Sequence, residues 1–192
     1  MTMTKMTAGE DPLLGLAEAG YAAALRELSD PDPWSSHRAV AQLSGHLAVM
    51  RRAVLPAARR WLHHDRALPA TCLAQGRQIE WALRLLECRL SGEACATRMS
   101  FPAMVTLLEQ RLSQYRSTER ALLAALRDRM PGREHDRLAE RCRALLPGAP
   151  TRPHPRSPRG RVPAALAFRF LGGWDRVLDE LDSRPGPRPV QP

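Results

Sequence analysis

Apolar residues recur three or four positions apart along most of the chain, which is the spacing of one face of an α-helix. The second predicted helix shows this most clearly, with apolar residues at Val40, Leu43, Leu47, Met50, Val54, Ala57 and Trp61. We expect Ser35-Ser36 to cap its start and the helix to reach about His64. Pro56 lies inside this helix, so the sequence predicts a kink there.

Proline and glycine delimit the other predicted helices. These cover about residues 12–28, 69–90, 101–130 and 133–146. Four long helices, each with one apolar stripe and short connections, favour an all-α fold of the up-down-up-down four-helix bundle type, with a short fifth helix. An irregular helical array of another topology is the alternative.

Composition changes after the fifth helix and divides the chain. We expect the bundle to occupy residues 11–146 and a Pro/Arg-rich linker to follow over 147–163. Apolar residues return at helical spacing over 164–182, which predicts a C-terminal amphipathic helix. Residues 183–192 are expected to form a disordered tail.

The overall composition supports a helical protein and excludes several classes. Hydrophobic residues make up 44% and charged residues 26%, while aromatic residues make up only 5%, and β-branched residues are scarce. These values argue against a β-sheet enzyme. Neither a transmembrane run nor a signal peptide is visible, so a cytoplasmic location is expected. The four cysteines lack Cys-x-x-Cys spacing and are predicted to be reduced and mostly buried.

Two polar residues fall on predicted core positions, where burial is costly unless a partner satisfies them. Glu119 lies between Tyr115 and Leu122 on the stripe of the fourth helix, and His46 precedes Leu47 on the second. If those helices are neighbours, an imidazole–carboxylate contact would satisfy both groups. One interpretation is a structural pair, or two groups that reach solvent at the edge of the stripe; the other is the remnant of a metal site.

Several segments resemble hemerythrin-like (HHE cation-binding) domains. The stretch HLAVMRRAVLPAAR at 46–59 is similar to the second helix of that family, and residues 107–126 with 138–146 resemble its fourth helix and short trailing helix. The most specific likeness is APTRPHP at 149–155, a run that follows the bundle in many bacterial members; LGGWDRVLD at 171–179 resembles their C-terminal helix. The resemblance implies an up-and-down helical bundle.

The resemblance also implies a carboxylate-bridged, non-haem di-iron centre with histidines from all four helices. This sequence departs from that pattern. His46 and Glu119 remain, but Met50 stands at the family's glutamate position, Leu55 where many members carry a further histidine, and Tyr115 in place of a histidine. We therefore expect a domain that has lost its di-iron site, holds no cofactor and is not an enzyme. Its expected role is to bind a protein partner or a small ligand.

An iron-binding oxygen or redox-stress protein with unusual ligands is the alternative. Its donors beside His46 and Glu119 would come from Tyr21, Tyr115, Glu18, Glu80 and Cys72. The competing interpretation is that the two glutamates lie in solvent and the two tyrosines fill the space of the missing histidines.

Charge suggests a second alternative, a basic module that binds anions or nucleic acid. The chain has 29 basic and 20 acidic residues, a net charge of +9, and many arginines on the predicted outer faces of its helices. Few aromatics accompany them and no recognition motif is present, so specific nucleic-acid binding is not expected. His63-His64 are interpreted as residues that cap the second helix, not as a metal clip.

Overall fold

The computed structural model describes residues 11–30, 32, 34–92, 98–153 and 175, and within these residues the fold is all-helical, with no strand. Its helices are α1 (Pro12–Ser29), α2 (Ser35–Val49), a π-helical segment (Met50–Val54), α3 (Leu55–Trp61), α4 (Ala67–Leu90), α5 (Phe101–Arg129) and α6 (Gly132–Leu145). The five helices predicted between residues 12 and 146 are confirmed to within about one turn, although the second is divided into α2, the π-helical segment and α3.

The first two helices begin in different ways. The Asp11 side chain caps α1 because its carboxylate accepts the backbone N–H of Leu13 at 2.9 Å. The expected cap of α2 by Ser35-Ser36 is wrong, since the helix already includes Ser35 as its first residue. The Ser35 hydroxyl instead accepts a hydrogen bond from the guanidinium of Arg38 at 2.7 Å.

The predicted interruption at Pro56 takes the form of the π-helical segment that precedes it. Proline has no backbone N–H, and its ring clashes with the carbonyl four residues earlier in a regular α-helix. The backbone N–H of Leu55 bonds to the carbonyl of Met50, five residues back, which gives the wider turn of a π-helix. Pro56 then lies in the first turn of α3, where its missing N–H has no intrahelical partner to lose.

This wider turn shifts the buried stripe by one residue. Ala57 and Trp61, which the sequence places on the apolar face, are only half-buried. Leu55, Ala58 and Leu62 take the core positions, with exposed fractions of 4%, 0% and 7%. The π-helical segment therefore decides which side chains of α3 enter the core.

One hydrophobic cluster includes residues from all six α-helices. Helix α4 packs along α5, α1 packs along α2, and α2 also contacts α4, while α6 contacts α1 and the π-helical segment. No described helix combines the length and the hydropathy needed to cross a membrane. Among the most deeply buried large side chains are two tyrosines and Glu119, so the core has a polar centre.

The first residues after α6 lie against α2. Ala149 is buried, and a Cβ added to Gly45 on α2 would lie 3.3 Å from the Cβ of Ala149. Asp175 is also buried, and its carboxylate accepts the backbone N–H groups of Thr151 and Arg152 at 3.1 Å each. The rest of the predicted linker, the predicted C-terminal helix and the tail lie outside the described residues: 154–163, 164–182 apart from Asp175, and 183–192.

Candidate functional site

Three polar side chains from three helices meet in the core. The Tyr21 hydroxyl on α1 lies 3.0 Å from Nε2 of His46 on α2 and donates a hydrogen bond to Oε2 of Glu119 on α5. Nε2 of His46 lies 2.9 Å from Oε1 of the same carboxylate. We call these residues the central triad. The imidazole–carboxylate contact inferred from the two apolar stripes is present.

Each carboxylate oxygen of Glu119 has a partner in the central triad. Oε2 accepts a hydrogen bond from the Tyr21 hydroxyl, and Oε1 faces Nε2 of His46, which donates to it in the Nε2–H tautomer. Glu119 is 1% exposed, so these two donors offset the loss of its hydration. Burial and the Glu119 carboxylate raise the pKa of Tyr21 well above its usual value. The triad is therefore a buried carboxylate with two internal donors.

A charged layer covers the Tyr21 side of the central triad. The guanidinium of Arg116 lies 5.2 Å from the centroid of the Tyr21 ring and bonds to Glu18 on α1. Arg120 bonds to the other oxygen of Glu18 at 2.6 Å. Burial alone would raise the pKa of Glu18, but the hydrogen bonds from the two arginines outweigh it and lower the pKa. These ion pairs join α1 to α5, the two helices that carry Tyr21 and Glu119 of the central triad.

A second polar pair lies beside the triad. The Tyr115 side chain on α5 and the Cys72 thiol on α4 lie close enough to influence each other's pKa, and both side chains are buried. Burial raises the pKa of Cys72 to about 12, and it raises the pKa of Tyr115 well above its usual value. Both groups are therefore protonated at neutral pH, which makes each a poor metal ligand.

Apolar side chains occupy the other positions at which the family resemblance implies ligands. Met50 and Leu55 are each 4% exposed and lie in the hydrophobic core. With Tyr115 and Cys72 they line a cavity of about 10 Å³. That volume is at the lower limit for one water molecule.

The donor set does not fit a di-iron centre. Such a centre needs bridging carboxylates and several imidazoles, whereas the central triad offers one carboxylate, one imidazole and one protonated phenol. Across the described residues, no group of three or more His, Cys, Asp or Glu side chains could hold a metal ion. Leu55 has no donor atom, and the Met50 thioether is a soft, neutral sulfur that cannot replace a bridging carboxylate.

The glutamates Glu18 and Glu80 both form ion pairs with arginines. Glu80 was expected in solvent, which is wrong: it is 2% exposed and pairs with Arg51 at 2.8 Å. Glu18 is half-buried in its two ion pairs. His63 and His64 are exposed and lie just beyond the end of α3, with ring centroids 3.8 Å apart.

Sequence reasoning did not find the role of Tyr21. It placed Tyr21 on an apolar stripe, but its contact with Glu119 depends on how α1 is rotated against α5, which one helix pattern does not reveal. Two of the predicted buried cysteines, Cys72 and Cys142, are confirmed as buried, and Cys95 lies outside the described residues.

Comparisons of the chain with protein-family models, curated proteins and solved structures find no match.

Proposed function

We propose that this chain is a hemerythrin-like, up-down-up-down four-helix bundle in which a hydrogen-bonded triad replaces the di-iron centre. It acts without catalysis, in the bacterial cytoplasm, by binding a protein partner or a small ligand. The observation that carries the proposal is the mutual hydrogen bonding of Tyr21, His46 and Glu119. The two residues that remain from the family's ligand set bond to each other and to a third side chain.

The protonation of the triad supports a centre without metal. A metal ion at Nε2 of His46 would have to displace its contact with the Glu119 carboxylate, and a bond to Tyr21 would need the phenolate. The raised pKa of Tyr21 makes that phenolate costly at neutral pH. The apolar neighbours Met50 and Leu55 stabilise the core by burial and provide no compensating charge.

Elemental analysis of the full chain, purified from iron-supplemented cells, tests this proposal. We expect iron far below one atom per chain and no absorption band of an oxo-bridged iron pair. Stoichiometric iron together with such a band would refute the proposal. The Glu119→Gln variant is the matched control, because any iron held by this carboxylate should be lost from it.

A second candidate is a single-iron protein that uses the central triad. The convergence of three potential donors favours it, since the Tyr21 hydroxyl and Glu119 Oε1 each lie within 3.0 Å of His46 Nε2. One ferric ion held by Tyr21 would give a visible phenolate-to-iron absorption band, and that band would vanish in Tyr21→Phe. One iron per chain with this band would favour the second candidate over the first.

A further inference from the structure

A groove lies between α3 and the first half of α4, and its volume is about 460 Å³. This is within the range of small-molecule sites, which is roughly 300–1,000 Å³. Leu73 and Arg77 line both the groove and the small cavity beside Tyr115. The groove is therefore next to the core but separate from the central triad.

The lining of the groove combines an apolar surface with three guanidinium groups. The apolar part that reaches solvent is formed by Ala70, Leu73 and Ala74, and the cations are Arg59, Arg66 and Arg77. Among the residues that the structure describes, no acidic side chain lines the groove. The start of α4 is on the same side, and the Asp65 carboxylate already accepts the backbone N–H of Leu68 there at 3.3 Å.

The three groove arginines differ from those that stabilise the fold. Arg38, Arg51 and Arg116 each pair with a carboxylate of a neighbouring segment. Within the part of the chain that the structure describes, Arg59, Arg66 and Arg77 form no ion pair with a carboxylate. Their charge is thus left to attract an anion that enters the groove.

We propose that this groove binds a small organic anion: a carboxylate or phosphate group joined to an apolar chain. The anionic group pairs with a guanidinium of the lining, because guanidinium groups bind carboxylates and phosphates through paired N–H donors. The apolar chain lies on Ala70, Leu73 and Ala74, which are the apolar lining residues that reach solvent. A nucleic acid would leave that apolar surface without a partner, so charge and apolarity together favour an amphiphile.

This inference rests on the proposed function, to which it adds the class of ligand. Isothermal titration calorimetry of the full chain with decanoate, below its micelle concentration and at low salt, tests it. We expect saturable binding at one site. Inorganic phosphate has an anionic group without an apolar chain, and decanol has the apolar chain without an anionic group. Each should bind at least about tenfold more weakly than decanoate, which corresponds to about 1.4 kcal/mol.

Charge variants locate the site. Arg66→Gln with Arg77→Gln should weaken decanoate binding about tenfold, because it removes two of the three positive charges that line the groove. Arg89→Gln with Arg98→Gln is the matched control: it removes the same charge at exposed positions, in the last turn of α4 and just before α5. Its affinity for decanoate should change less than about twofold.

A third variant tests the apolar surface. Ala70→Trp places a large side chain at an exposed position of the groove lining and should abolish decanoate binding while the circular dichroism spectrum stays helical. The proposal is overturned if decanoate does not bind, if both arginine pairs weaken binding equally, or if phosphate or decanol binds as tightly as decanoate. Iron content decides the proposed function separately, so failure of one inference is distinguishable from failure of the other.

Discussion

Removal of the Tyr21 hydroxyl should destabilise the protein more than the same change at Tyr115. Both tyrosines are 2% exposed, and Phe preserves the ring at each position. At Tyr21 the substitution removes a donor to the Glu119 carboxylate and leaves Oε2 of that carboxylate without this partner. Hydrogen bonds to charged groups contribute about 1.5–3 kcal/mol, so Tyr21→Phe should lower the free energy of unfolding by that amount.

Tyr115→Phe is the matched control for this change. The neighbour of its hydroxyl is the neutral thiol of Cys72, which is a weak acceptor and carries no charge. The expected loss in the free energy of unfolding is about 0.5–1 kcal/mol. Urea denaturation at pH 7, followed by circular dichroism, measures both variants, and the denaturant slope should stay unchanged.

A double-mutant cycle assigns the effect to the carboxylate. In a Glu119→Leu background the Tyr21 hydroxyl has lost its acceptor, so Tyr21→Phe should lower the free energy of unfolding by less than about 0.5 kcal/mol. The coupling energy between Tyr21 and Glu119 is then at least about 1 kcal/mol. Additive effects, or equal losses for Tyr21→Phe and Tyr115→Phe, would refute the assignment of Tyr21 as a donor to Glu119.

Three further predictions concern other parts of the fold. Glu18→Gln should lower the free energy of unfolding by about 0.5–1 kcal/mol at pH 7. Because the pKa of Glu18 is lowered from its ordinary 4.5, its ion pairs stabilise the fold above that pH. The difference from the unsubstituted chain should therefore shrink in urea titrations as the pH falls below about 4.5; a constant difference would contradict the pairing. In a variant that retains only Cys72, whose pKa is about 12, Ellman's reagent at pH 8 should react slowly until denaturant is added; rapid labelling of the folded chain would be inconsistent with the buried pair. Gly15→Ala adds a methyl group in α1 with no atom within 4 Å, so thermal and urea unfolding should show a stabilisation of about 0.5–1 kcal/mol. Gly45→Ala is its control, because its Cβ would meet Ala149 at 3.3 Å, and a loss of stability in Gly15→Ala would count against this placement of α1.

Periodicity predicts the helices because a 3–4 residue spacing places apolar side chains on one face. The buried positions Val40, Leu43, Leu47 and Val54 follow the predicted stripe. The shift after Pro56 could not be predicted, since the sequence continues the same spacing and only the backbone shows the π-helical turn.

The central triad was predictable in part. An acidic residue on an apolar stripe indicates a buried polar contact, and that signal led from Glu119 to His46. The third member depends on helix rotation, which a single stripe leaves open. The burial of Glu80 was not predictable for a related reason: its partner Arg51 is on another helical segment, and the pair forms only when that segment packs near α4.

The linkage between metal and folding tests the central claim most directly. The free energy of unfolding of the full chain is measured by urea denaturation with a chelator and with excess ferrous iron under anaerobic conditions. If the central triad is held by its own hydrogen bonds, the two values should agree within experimental error, because only a ligand that binds the folded state stabilises it. A stabilisation that rises with iron concentration and disappears in Glu119→Gln would contradict the account.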